Sequence, residues 1–497
     1  MSNRSKIYIP ASEMRKWHPE GLVCSTDIAY ARVANELYSL LVKRLDDWMK
    51  PFQVKNIVMG LVCWLEDRCS GLHMWDVFLK NYREFFGKKI PFYEETTDEE
   101  QSFLDEFRLV LWLCAQTERE MTIVNPENVA LDMLATVIVT DWISKGYFQG
   151  NMPCNEELAG YLYCEEAQTD IMLVKNVLMW IERRCYLGHW FLKNDPNAAD
   201  AKESCLTTDQ LRYGNNSVAA FSARTWPISM LPQDIYADMI RMEMDDEKDE
   251  YAKAIAEIEH KKISLCKIER YDERCLWMKD FHGDEFAVLI DSFGQNTPKT
   301  IKKNSLVLSA YAKFRGEWST IGVSAWYPYD DKMWTQICEE DQTRYELMHA
   351  DGQYDEFIEN HNGRRLFFFK DSNEYCDWLK DELHFIMDNN VGLPYMSTPL
   401  AVFFEPNGQI TISQFGNLIK SPDNKYYDRA MARDNALVFV VSRDSCSPDC
   451  LRYLIDKDYI SDANLKSTEG EEHGHQLAQS NLQFLACCMR RDLDWIR

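Results

Sequence analysis

The sequence predicts an α+β, multi-domain protein. It has a mostly helical N-terminal domain, a small five-stranded antiparallel β-barrel in the middle and an α+β C-terminal domain. Three observations carry this. Apolar residues recur at three-and-four spacing through residues 1–190, the spacing switches to strand period between Ile263 and Tyr327, and helix and strand patterns alternate thereafter. A chain of 497 residues has room for about three domains. The expected boundaries are 1–232 for the all-α domain, 233–262 for a linking helix, 263–330 for a barrel of the SH3 or OB kind, and 331–497 for the α+β domain.

Ser25-Thr26-Asp27 opens the first helix, on which Tyr30, Val33, Ala34, Leu37, Leu41 and Leu45 share a face until Pro51. Further helices are expected over 52–66, 74–86, 102–115, 126–143, 155–163 and 170–185, the fourth of these opening with Pro126 in its first turn. Lys193–Ser217 is polar and reads as a surface loop, and Gln233–Lys262 as one long helix with a solvated acidic run. The barrel strands are Ile263–Glu269, Arg274–Lys279, Glu285–Ile290, Ser305–Lys313 and Glu317–Trp326, with Gly, Pro and Asp in the turns. Beyond them, Asp331–His349 and Asn373–Met387 read as helices. Arg365–Lys370, Ala401–Glu405, Gln409–Ile412 and Ala436–Ser442 read as strands. Ser447-Pro448 caps a helix to Ile455, and Gln476–Arg490 is the last helix.

The net charge of −25 is uneven. Residues 1–262 hold 29 basic against 42 acidic side chains, 263–330 hold nine of each, and 331–497 hold 17 against 29. An acidic body repels a phosphate backbone, so nucleic acid is possible only through the barrel. The 16 cysteines are irregularly spaced, and Met1-Ser2-Asn3-Arg4 leads into no apolar run. The expectation is a reduced protein of the cytoplasm with no membrane association.

No Gly-rich phosphate loop, nucleophile elbow or zincin motif is present, and no cofactor is expected. Trp64–His73 and Trp180–His189 share the pattern W-x-E-x-R-C-x-x-x-H, which would set Cys69 with His73 and Cys185 with His189 for a Cys2His2 zinc site. Gly71 and Gly188 interrupt both ligand turns, so zinc is expected to be absent there. In the barrel, Trp277, Phe314 and Trp318 interleave with Lys313 and Arg315. Aromatic rings beside cations on a small barrel compose a face for an extended ligand, and Phe314–Trp318 forms the exposed hairpin.

Several segments carry a resemblance: Glu66-Asp67 after an apolar helix, Cys185-Tyr186-Leu187 after Trp180-Ile181, and the hairpin Phe314–Trp318. Further on come Asp423–Asp428, Tyr453–Ile455 with Asp462-Ala463, and Asn481–Leu485. In their order over most of the chain they resemble a domain-of-unknown-function family of gut Bacteroidales bacteria. Ser is the residue the resemblance implies where Cys185 stands, and it implies no activity and no site residue. The first reading is a non-enzymatic cytoplasmic interaction or regulatory protein with a protein partner. The alternatives are a nucleic-acid-associated factor acting through the barrel, and a hydrolase or metalloenzyme of unfamiliar type.

Overall fold

The computed structural model describes residues 7–45, 47–119, 122–164, 169–189, 208–243, 249–297, 301–339, 353–382 and 396–494. They form two compact units, one within 1–120 and 126–334 and the other within 121–125 and 335–497. The architecture is α+β, as the periodicity predicts.

The first unit opens with a short 3-10 turn, Ala11–Lys16, and ten helices follow among its described residues. These are α1 (Asp27–Leu41), α2 (Pro51–Ser70), α3 (Met74–Phe86), α4 (Glu99–Thr117), α5 (Val129–Ser144), α6 (Glu156–Leu162), α7 (Ile171–Arg183), α8 (Thr208–Ser222), α9 (Pro232–Glu243) and α10 (Asp249–Ala256). Local chemistry sets several boundaries. Asp98 accepts from the backbone N–H of Glu100 and Gln101 to start α4, and Asn128 does the same for α5 through Ala130 and Leu131. Pro126 therefore lies before α5 rather than in its first turn. Gly71, at φ +61°, ends α2.

An aromatic cluster binds the helices together. Trp64 meets Phe107 at 5.4 Å and Trp75 at 6.4 Å between ring centres, and Phe107 meets Trp142 at 5.5 Å, all edge-on. Such pairs contribute about 0.5–1.5 kcal/mol beyond their buried area. The buried Asp67 turns the corner into α3, accepting from Met74 N at 3.1 Å, Trp75 N at 2.8 Å and the Tyr186 hydroxyl at 2.8 Å.

Six strands follow: β1 (Glu259–Tyr271), β2 (Cys275–Asp280), β3 (Glu285–Leu289), β4 (Leu306–Phe314), β5 (Glu317–Thr320) and β6 (Ala325–Tyr327). The first five close into a ring in the order β1-β2-β3-β5-β4, because the 13-residue β1 pairs with both β2 and β4; β6 extends β4. This is the Greek-key order of the OB kind, one of the two expected. The barrel is mixed, not antiparallel as expected, since β3 and β5 run parallel at Val288–Trp318. Parity forces the correction: strands that alternate in direction around a closed ring must be even in number, so five leave one parallel pair. Cys266, Ile268, Leu276, Met278, Val288, Val307 and Tyr311 fill the interior.

The second unit carries β7 (Leu366–Phe369), β8 (Leu400–Phe404) and β9 (Ile410–Ser413) as an antiparallel sheet. Its helices are α11 (Gln353–Asn360), α12 (Ser372–Glu382), α13 (Arg429–Val441), α14 (Pro448–Asp456), α15 (Glu471–Ser480) and α16 (Leu482–Arg490). Phe357, Phe367, Phe369, Trp378 and Phe404 pack over the sheet.

Four local expectations change. Residues 208–217 belong to α8 rather than a loop, while 193–207 lie outside the described residues. The expected linking helix is α9, α10 and the start of β1, where Glu259 pairs with Lys313 and Lys261 with Tyr311; residues 245–248 of its charged run lie outside the described residues. Ala436–Ser442 is not a strand, because Asp428 caps a helix that buries Ala432, Ala436, Leu437, Phe439 and Val440. Packing of that face outweighs the β preference of its valines. The last helix divides at Asn481 into α15 and α16. Of the two helices expected after the barrel, residues 340–349 and 383–387 lie outside the described residues.

Candidate functional site

On the barrel's outer surface, period-two alternation in β2 turns Leu276 and Met278 inward and leaves Cys275, Trp277 and Lys279 facing out. Trp277 is half-buried and lies opposite Arg270 of β1, whose guanidinium sits 4.0 Å from the ring centre. The β1 irregularity between Ile268 and Arg270 produces this alignment. Such cation–π contacts contribute about 0.5–1 kcal/mol at exposed sites and pre-orient the ring.

Two loops bound this face. In the β1–β2 loop, Asp272 accepts from Arg274 N and Cys275 N, both at 2.8 Å, and these backbone donors hold its carboxyl below the usual range. Arg274 ion-pairs with Glu317 at the start of β5. The β4–β5 turn is Arg315-Gly316, with φ of +49° and +85°, the conformation that matches the twist of a tight hairpin. Tyr271, the last residue of β1 and the neighbour of Asp272 in sequence, is 49% exposed.

The five predicted binding residues separate. Trp277 is on the open face. Phe314 is buried, and Trp318 packs against the barrel core with its ring 5.2 Å from Phe286. Lys313 pairs with Glu259 at 2.6 Å, and Arg315 lies 3.6 Å from Glu250 of α10. Arg270 completes the open face beside Trp277 and escaped the sequence reading. The signal available was the pairing of β1 with β2, which puts Arg270 across from Trp277.

The four candidate zinc ligands do not share one site. The Cys69 thiol reaches Tyr147 O at 3.5 Å, and His73 bridges Asp76 at 3.3 Å and Glu243 at 3.0 Å. Cys185 is buried between Ile181 O and the Trp226 indole N–H, and His189 stacks on Trp17 at 3.9 Å. Cys69 and His73 are not one helical turn apart, because α2 ends at Gly71 and α3 begins at Met74.

An open cleft of about 430 Å³ is lined by Arg68, Cys69, Phe103, Tyr147, Phe148 and Met152. Its thiol is poorly suited to nucleophilic chemistry, because burial pushes Cys69 up to about 12. Arg68 is engaged by Asp76 at 2.5 Å. No helix among the described residues is long and apolar enough to cross a membrane.

The chain belongs to the DUF3843 family, described as a protein of unknown function, whose model matches residues 7–248 and 319–491. The stretch from α10 through β4 lies between the two matched segments of this DUF3843 protein. No curated protein and no solved structure matches the chain.

Proposed function

We propose that this is a non-enzymatic interaction or regulatory protein of a gut bacterium's cytoplasm, and that its barrel holds an extended segment of a partner protein. The observation that carries this reading is the Arg270–Trp277 stack on the outer β1–β2 surface of an OB-type ring. The ring's β1–β2 and β4–β5 loops are the places where that fold takes its ligands. A rigid aromatic with an arginine laid on it is the composition of an interface anchor.

A second reading puts a single-stranded nucleic acid on the same face, favoured by the flat Trp277–Arg270 pair and the neighbouring Lys279. The acidic Asp272 and Glu273 in the β1–β2 loop oppose a phosphate backbone there. Cross-linked capture on the full-length protein, compared with an Arg270→Ala, Trp277→Ala double variant, tests both. A protein component depleted tenfold or more in the variant supports the first reading, and a depleted nucleic acid the second. Identical capture by both chains overturns the barrel as the contact module.

A further inference from the structure

In the first unit, a loop between the opening 3-10 turn and α1 brings three different ligand types together. Pro19 O accepts from Leu22 N at 3.1 Å, and Gly21 has a φ of +81°, so the chain doubles back after His18. His18, Cys24 and Asp27 converge there, with one ligand atom from each lying within 4.8 Å of the others. All three are buried, at 1%, 4% and 2% exposure. We propose that His18 Nδ1, Cys24 Sγ and Asp27 Oδ1 bind one divalent metal ion of the zinc class.

Geometry carries the proposal. Tetrahedral zinc, with bonds of roughly 2.0–2.3 Å, sets neighbouring ligand atoms about 3.3–3.7 Å apart. His18 Nδ1 stands 3.5 Å from Asp27 Oδ1 and 3.6 Å from Cys24 Sγ. Asp27 Oδ1 is a buried acceptor that receives no hydrogen bond from any described residue. A buried carboxylate oxygen left in that state is destabilising, and a cation at this point relieves it. Asp27 Oδ2 is already held by Arg15 Nε at 3.2 Å, which aims Oδ1 at the histidine.

The far side of the imidazole is prepared for the same role. His18 Nε2 donates to Glu66 Oε2 at 2.9 Å, and Glu66 Oε1 in turn accepts from Asn155 Nδ2 at 2.7 Å. A carboxylate on the distal nitrogen fixes the tautomer of a metal-ligating histidine and raises its basicity. The set of one imidazole, one thiolate and one carboxylate suits zinc rather than calcium or magnesium.

Metal binding requires a neutral imidazole and a thiolate, so affinity should rise with pH. The metal would pin the loop before α1 to the first residue of that helix, with α2 supporting it through Glu66.

The test uses the full-length chain, freed of metal by chelator and titrated with cobalt(II). Visible bands of four-coordinate cobalt and a thiolate-to-cobalt band should saturate at one equivalent and be displaced by zinc. Zinc should shield Cys24 from alkylation, read by peptide mass spectrometry. Cys24→Ser should lose the thiolate band, Glu66→Gln should bind 10- to 100-fold more weakly, and Cys69→Ser should behave as the parent. If the buried variants fail to fold, the parent chain still decides. No saturating cobalt spectrum, or saturation that leaves Cys24 open to alkylation, overturns the proposal.

Discussion

Replacing Arg490 by Met should loosen one corner of the second unit selectively. The guanidinium is fully buried and joins three chain segments. It donates to Ser442 O at 3.2 Å, where α13 ends, to Cys446 O at 2.6 Å, just before α14, and to both Asp492 oxygens at 3.0 and 3.1 Å. Methionine keeps the aliphatic stem and leaves these acceptors without their donor. Breaking a buried pair from one side costs about 3–5 kcal/mol. The Asp492 side chain is 17% exposed and can rehydrate, so the lower figure, about 3 kcal/mol, is expected. At about 1.4 kcal/mol per decade, opening should become roughly a hundredfold more frequent. Native-state hydrogen exchange resolved by peptide is the assay, with faster exchange in α13, α14 and α16 and none in α2. Arg490→Lys, a point donor without the planar fork, should fall between the two. Unchanged protection in those three helices of a folded Arg490→Met chain would show that the network is not what joins them.

Other expectations can be checked the same way. Burial raises Asp67 to about 6 against the opposing Tyr186 and Trp75 hydrogen bonds. The folded chain therefore holds more protons there than the unfolded one between about pH 4 and 6, and stability falls across that window by about 3 kcal/mol. Asp67→Asn should flatten this part of a melting-temperature profile, and an unaltered slope would assign it to other groups. A Cβ at Gly474 would lie 1.8 Å from Leu465 O. Gly474→Ala must therefore move backbone, and a clear drop in melting temperature is expected. Trp318→Ala should lower thermal stability by opening a cavity beside Phe286, whereas Trp277→Ala should leave the melt nearly unchanged. Reversal of that order in paired melts would exchange the two residues' roles.

Much of the architecture is legible in one dimension, because helices and turns are set by neighbours in sequence. Spacing on α1, side-chain caps at Asp98, Asn128 and Ser447, and the Arg315-Gly316 turn all act within a few residues. Period-two alternation likewise shows that about half of the barrel's aromatics must point inward. Which half is a matter of register. Pairing across strands and the irregularity in β1 decide that Trp318 packs on the barrel core, that Phe314 is buried on the other face of β4, and that Trp277 meets Arg270 outside. The parallel β3–β5 pair belongs to ring closure, which no single strand encodes. The apolar run Ala436–Ser442 suits helix or strand locally, and only the surface available to bury its face chooses. His18, Cys24 and Asp27 are close in sequence, yet their convergence depends on a turn at Pro19–Leu22 and on Glu66 arriving from α2. Residue types and spacing are properties of the chain, but ligand geometry and side-chain exposure arise when distant segments exclude water together.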